Sequence, residues 1–365
     1  MSALKHWDIF CKIVDNFGDI GVCWRLARQL QARHGLQIRL WVNDLEAAQK
    51  IIPSLNVAEN SQVCDDITIL KWPSIDEGEA DFSQAAEVVI EAFACELPPA
   101  YLAAMVRQQS KWLNLEYLSA ETWVEDFHAK PSPQTNGLTR HFYFPGFTEA
   151  TGGLIRETDI FRCHSDFRRN DRQGNTLKVS LFCYPNAPIK DLLSALQVNI
   201  HAVSVYVPKC SALLQIADFF DVEAISAGDY FTRENLHVHI LPFLSQVDYD
   251  QLLRNCDLNF VRGEDSWIRA IWAGKPFIWQ PYFQDESTHI KKLDAFLELF
   301  YADLNVKEMV CEAHRHWSVG QLPKHVWNAY LEHLPAINDY TLQQSQQLAK
   351  QQDLAAKLVI FCNNI

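Results

Sequence analysis

The chain has 365 residues, enough for two domains rather than one. With 48% hydrophobic and 21% charged residues it is globular rather than disordered, and no apolar run reaches bilayer length. The net charge of −13 argues against a general nucleic-acid or membrane-surface binder, and the start lacks a signal-peptide pattern, so a cytoplasmic protein is expected.

The first apolar run, Trp7 to Val14, reads as a buried strand. The turn that follows, Ile13-Val14-Asp15-Asn16-Phe17-Gly18-Asp19-Ile20-Gly21, leads into a helix over Val22–Arg33. Two carboxylates and two glycines therefore stand on the first strand-to-helix turn, where open α/β sheets bind ligands. Gly18 and Gly21 are expected to allow tight backbone geometry there. A plainer reading has Asp19 capping the helix and Asp15 shaping the turn.

Short apolar runs follow at Ile38–Val42, Ile67–Trp72, Val88–Phe93, Trp112–Tyr117 and Phe142–Phe144, with a helix at Pro99–Gln108. Such alternation implies parallel strands joined by crossover helices. Residues 162–175 are polar and charged and read as an interdomain connection. A second series has strands at Lys178–Tyr184, Ala202–Val207, Val238–Leu241, Leu258–Val261 and Phe277–Trp279. Its helices are Ile189–Leu196, Ala212–Phe219, Val247–Arg254 and Ser266–Ala273. From Tyr340 to Phe361 the pattern is one long helix with Leu348, Leu354, Ala355 and Leu358 on its apolar side. The expected fold class is α/β, with Rossmann-like domains over residues 1–165 and 166–339. The helix at 340–365 is expected to pack back on the first domain, and the cleft between the domains is the natural ligand site.

The 10 cysteines show no C-x-x-C spacing and no zinc-type cluster with histidine, so buried thiols in a reducing compartment are expected. Cys311, His314 and His316 lie close together, but no second ligand set accompanies them and a surface role is expected for both histidines.

Residues 258–289 hold the second motif, LNFVRGEDSWIRAIWAGKPFIWQPYFQDESTH. A strand ends at Val261, Arg262-Gly263-Glu264-Asp265 forms a loop, and Ser266 opens a helix ending near Gly274. A helix N-terminus suits a phosphate, Gly263 permits close approach, and Arg262 adds charge-assisted hydrogen bonds to a diphosphate. A plain β-α-β unit with a capped helix would show the same pattern.

This segment resembles the donor half of GT-B glycosyltransferases, which have two facing Rossmann-like domains and an interdomain cleft. With VDNFGDIG added, the whole chain resembles the EarP family, protein-arginine rhamnosyltransferases that modify translation elongation factor P. The resemblance is carried by WDIFCKIVDNFGDIGVCWRLARQL, WLNLEYLSAETWVEDFH, FPGFTEATGGLIRE, VSLFCYPN and RGEDSWIRAIWAGKPFIWQPY. It implies inverting transfer of L-rhamnose from dTDP-β-L-rhamnose to an arginine of the folded N-terminal domain of elongation factor P.

An arginine acceptor is cationic and its lone pairs are delocalised, so it must be held and deprotonated as it attacks. Asp19 is taken as the base and Asp15 as the positioning carboxylate, roles that the sequence allows to be exchanged. Asn16, Phe17 and Gly18 complete the acceptor loop. Inversion needs no enzyme nucleophile, and the leaving diphosphate needs donors: Arg262, Ser266 and the local N–H groups. No Asp-x-Asp stands at the donor loop, so no metal or cofactor is expected beyond the donor substrate. The resemblance places Phe182 and Tyr184 beside the donor, with Phe243 stacking on thymine and Gln246 on the base edge. Phe182 as core, and Phe243 and Gln246 as ordinary loop and helix-start residues, are the plainer readings. Glu264 is expected to bind ribose or orient the loop, Asp265 stands in the same donor loop, and Asp285 is a weaker candidate near the sugar. Two other readings stay open from residues alone. They are another nucleotide-sugar enzyme of this architecture, a small-molecule glycosyltransferase or an epimerase, and a non-catalytic binding module.

Overall fold

A computed structural model describes residues 5–14, 17–72, 82, 84–158, 160–161, 176–284 and 288–365. The linker expected at 162–175, Asp15, Asn16 and Asp285 lie outside the described residues. Contacts divide the chain into Met1–Glu157 with Ala349–Ile365, and Thr158–Leu348.

The first unit is built on an eight-stranded sheet. Its strands are β1 (His6–Cys11), β2 (Gln37–Val42), β3 (Ser61–Cys64), β4 (Ile67–Lys71), β5 (Val88–Ala92), β6 (Lys111–Leu115), β7 (Pro131–Pro133) and β8 (Thr139–Tyr143). The order is β3-β4-β2-β1-β5-β6-β8-β7, parallel except where β3 and β7 close the edges antiparallel. β1 pairs with β2 on one side and β5 on the other, so its carboxyl end is the point where the strand order reverses. α1 (Gly18–His34) starts there, and α2 (Leu45–Ile51), α3 (Pro99–Gln108) and α4 (Trp123–Phe127) follow along the chain.

β1 is apolar almost throughout because both faces of the sheet are covered. One face packs Ile9 and Cys11 with Trp24 and Leu30 of α1; the other packs Phe10 with Trp41, Tyr101 and Trp112. The exception is Asp8, fully buried, which takes two hydrogen bonds of 2.6 Å from Arg39 and one from Tyr101. A buried charge is tolerated when paired in this way.

The second unit has a six-stranded sheet of β9 (Leu177–Leu181), β10 (Val203–Pro208), β11 (Tyr230–Arg233), β12 (Leu236–Leu241), β13 (Leu258–Arg262) and β14 (Phe277–Gln280). The order β11-β12-β10-β9-β13-β14 puts the reversal at β9, between β10 and β13. Helices α5 (Ile189–Gln197), α6 (Leu213–Phe220), α7 (Gln246–Asn255), α8 (Asp265–Ala273), α9 (Thr288–Phe300), α10 (Lys307–Ser318), α11 (Lys324–Glu332) and α12 (Leu334–Leu348) belong to it. Trp267 of α8 stacks on Trp279 of β14 at 3.7 Å, with Phe296 edge-on to Trp267. α7 and α8 are tied by a buried bidentate pair, Arg269 with Asp250. Gly274 ends α8 at φ +64; a side chain there would be strained and would meet Leu342 of α12.

The helical stretch at the C-terminus is two helices, not one. α12 stops at Leu348 and α13 runs Leu354–Asn364. Two features cause the break. Arg156 donates to the carbonyls of Ala349 and Gln351, which would otherwise continue the helical ladder. Asp353 then caps α13, accepting from Ala356 N at 3.0 Å while also holding Gln29 and Arg33 of α1. α13 buries Leu354, Ala355, Leu358 and Cys362 in the core of the first unit. Among the described residues no helix is long and apolar enough to cross a membrane.

His314 corrects the expectation of a surface role. It is fully buried on α10, its Nδ1 accepting from Trp279 N at 3.2 Å, and burial pushes its pKa down to about 3. The helix period turns Cys311 and His314 to the same buried side, while His316 pairs with Glu312 at 3.6 Å nearer the surface.

Candidate active site

The loop leaving β1 is pinned before it reaches α1: Ile13 N–H donates to Asn43 Oδ1 at 2.8 Å. Phe17 is the residue before the helix and contributes no side-chain cap. Asp19 is the second helical residue and reaches back, its Oδ2 accepting from Val14 N–H at 2.8 Å. It is 3% exposed. Oδ1 faces the hydroxyl of Tyr117 at 3.4 Å. The helix N-terminus and this backbone donor both hold the carboxylate in place. Gly18 and Gly21 both lie within α1, Gly21 N–H bonding Phe17 O, so the backbone there is helical rather than a tight turn.

The wall beside Asp19 comes from β5 and β6, and the sequence did not single it out. After β5, Phe93, Ala94 and Glu96 all have positive φ (58°, 52° and 61°). Non-glycine residues there cost about 1–3 kcal/mol each, so the turn must be held by its surroundings. Buried Glu91 does so through Glu96 N–H at 3.0 Å, and it also accepts from Trp112 Nε1 at 3.0 Å. Buried Asn114 accepts from Ala94 N–H at 3.0 Å and donates to Glu116. Burial pushes the Glu116 carboxyl upward, with Glu91 adding to the rise and Arg140 opposing it. The turn presents Phe93 to Tyr117, the two rings stacked at 4.4 Å and 12°.

In the second unit Phe182, Tyr184 and the Arg262–Ser266 loop lie at the carboxyl ends of β9 and β13, and Phe243 and Gln246 follow β12. Phe182 and Tyr184, just beyond β9, both lie against the guanidinium of Arg262, 4.5 and 4.6 Å from its carbon. Phe182 is half-buried rather than core and touches Tyr249 edge-on at 5.5 Å. Tyr184 N–H donates to Gln280 Oε1 at 2.8 Å, and its ring meets Tyr282 at 5.8 Å. Two ring faces leave the planar N–H edge of Arg262 as its recognition surface.

Gly263 has φ +62°, which the tight turn from β13 to α8 requires; its N–H bonds Gln280 O and its carbonyl accepts from Trp279 Nε1. Ser266 is bonded within its own loop. Its hydroxyl accepts from Arg262 N–H at 3.0 Å and donates to Arg262 O, so its only proton is committed to the loop. What α8 offers an anion is its positive N-terminal end, with Asp265 in the first turn. Glu264 pairs with Lys292 of α9 at 2.7 Å, which orients the loop. Phe243 is exposed in the segment after β12, and Gln246 opens α7, which Ser245 caps through Asp248 N–H. Tyr249, Tyr282 and Lys292 join this set without having been expected; only Tyr282 lay inside a motif, as the last residue of RGEDSWIRAIWAGKPFIWQPY.

Comparison with known proteins adds to this geometry. The profile of the family described as elongation factor P (EF-P) rhamnosyltransferase EarP matches residues 7–363. A protein-arginine rhamnosyltransferase of Pseudomonas putida is 42% identical, over 98% of both chains. One from Pseudomonas aeruginosa is 41% identical over 98% of this chain and 99% of its own. A solved structure described as the structural basis for EarP-mediated arginine glycosylation of EF-P aligns with TM-score 0.65 at 30% identity, covering 98% of this chain and 99% of that one. MurG of Acinetobacter baumannii shares the fold, with TM-score 0.52 at 13% identity, over 99% of this chain and 100% of its own. The two parallel-rich α/β units have the GT-B glycosyltransferase architecture.

Proposed function

We propose a reaction from one premise: this chain belongs to the EarP family of EF-P rhamnosyltransferases, and is a glycosyltransferase of the protein-arginine rhamnosyltransferase type. The donor is dTDP-β-L-rhamnose and the acceptor one arginine on the folded N-terminal domain of elongation factor P. Transfer is a single displacement with inversion, in which a guanidino nitrogen attacks the anomeric carbon as its bond to the diphosphate oxygen breaks. The proton lost by the nitrogen goes to Asp19, and the electron pair of the broken bond leaves on dTDP. Asp15 helps to hold the cationic guanidinium.

One observation carries this reading. A nearly buried carboxylate, Asp19, is fixed at the reversal point of the first sheet by Val14 N–H. That is a base prepared for a cationic acceptor, since it is oriented before the acceptor arrives. Support for the donor half comes from Arg262, lying against Phe182 and Tyr184 beside the N-terminus of α8. Its guanidinium and the helix end stabilise charge developing on the leaving diphosphate. Phe243 and Gln246 are assigned to the thymine. No metal or cofactor takes part.

The test is to incubate the protein with dTDP-rhamnose and purified elongation factor P and weigh the acceptor. A gain of one deoxyhexose on arginine is expected. With Asp19→Asn the gain should slow by ~10²–10⁴-fold while dTDP binding persists. Near-normal turnover by that variant would remove the base assignment.

A further inference from the structure

We infer that Tyr117 is a positioning residue for the base, its hydroxyl aiming Asp19 Oδ1 at the acceptor. The inference rests on the reading of Asp19 as the base. The hydroxyl lies 3.4 Å from Oδ1, while Val14 N–H already holds Oδ2. Donors on both oxygens hold the carboxylate plane more firmly than a donor on one. The separation is long for an O–H···O bond, as such contacts often are before substrate closes on them.

What holds Tyr117 is unusually constrained for a residue that is 42% exposed. Its ring stacks on Phe93. Phe93 is the first residue of the left-handed turn that Glu91 and Asn114 pin from the buried ends of β5 and β6. On the other side, the neighbouring Glu116 N–H bonds Tyr143 O at 2.9 Å, which extends the sheet pairing up to Tyr117. Strain concentrated in a turn that packs on a half-exposed tyrosine is what a site demands and a core does not.

A donor to a carboxylate favours its ionised form, and losing it favours the protonated, inactive form. The titratable groups facing Asp19 include Cys11, from the end of β1, as well as Tyr117; Cys23 of α1 is hydrogen bonded to Cys11. The Cys11 thiol keeps its proton, since it is pushed well above the ordinary thiol range, first by its bond to Cys23 and then by burial. The carboxyl of Glu116, raised by burial beside Tyr117, titrates on the same side, so a Glu116→Gln background isolates the part of the acid limb that reports Asp19.

The experiment measures kcat against pH, with both substrates saturating, for the wild type, Tyr117→Phe, Asp19→Asn and the double variant, with melting curves for each. Tyr117→Phe should move the acid limb up by ~0.5–1 pH unit, a ~3–10-fold loss below the limb, with melting temperature and donor KM unchanged. In the Asp19→Asn background it should cost nothing further. A profile lowered evenly at every pH, or one superimposed on the wild type, overturns the inference while leaving Asp19 as base. Multiplicative losses in the double variant overturn it equally. Activity retained by Asp19→Asn would instead overturn the base reading on which it rests.

Discussion

Arg262→Ala separates the donor-binding role proposed for this side chain from the structural role of its loop. The guanidinium is half-exposed and touches two ring faces at 4.5 and 4.6 Å. Such contacts are worth about 0.5–1 kcal/mol at exposed sites, so the fold should lose little when it is removed. A hydrogen bond to a charged group is worth about 1.5–3 kcal/mol, so dTDP should bind ~10–150-fold more weakly. Ser266→Ala should behave in the opposite way. Ser266 holds both the N–H and the carbonyl of Arg262, and truncation strands them at a cost of about 1–3 kcal/mol of stability. Its melting temperature should drop, and dTDP affinity should fall only as far as the loop loosens. Titration calorimetry with dTDP and thermal melts on both variants give the comparison. Unchanged dTDP affinity in Arg262→Ala would place the diphosphate elsewhere, and an unchanged melting temperature in Ser266→Ala would refute the account of the loop.

Turnover should survive EDTA, because the charge on the leaving diphosphate is assigned to Arg262 and the α8 N-terminus; loss on chelation with recovery on magnesium would contradict this. The folded acceptor domain should react much faster than an arginine peptide, which must order itself on binding, and a lysine at the acceptor position should fail because it lacks a planar fork; equal rates for domain and peptide would refute recognition of the fold. Acid should destabilise the protein in a defined window. Burial lowers His128 to about 4 and His314 to about 3 in the folded state, against 6.5 ordinarily. Between those values and 6.5 the unfolded chain binds the extra protons, so stability is full above about 6.5 and falls as pH drops towards 4. A urea midpoint unchanged between pH 8 and pH 5 would show that neither histidine behaves this way.

Much of the fold was legible because it is written in local pattern. β1, β2, β5, β13 and β14 are buried on both faces and read as apolar runs, and α3 and α8 are bounded by Pro99 and Gly274, whose backbone preferences act within a few residues. The edge strands β3, β7 and β11 were not legible. They bury almost nothing and exist because a neighbour offers its free edge. The break between α12 and α13 was equally hidden, since Arg156 lies far away in sequence.

At the site the division is the same. Asp19, Arg262 and Gly263 could be singled out as candidates from sequence because a strand-to-helix turn at a sheet's carboxyl end is a local motif. Tyr117, Phe93, Lys292 and the buried His314 could not, because each is placed by a partner on another element. Ser266 shows the boundary most clearly. Its place at a helix start was plain from sequence, but a hydroxyl has one proton to give, and only the folded loop decided that Arg262 O receives it.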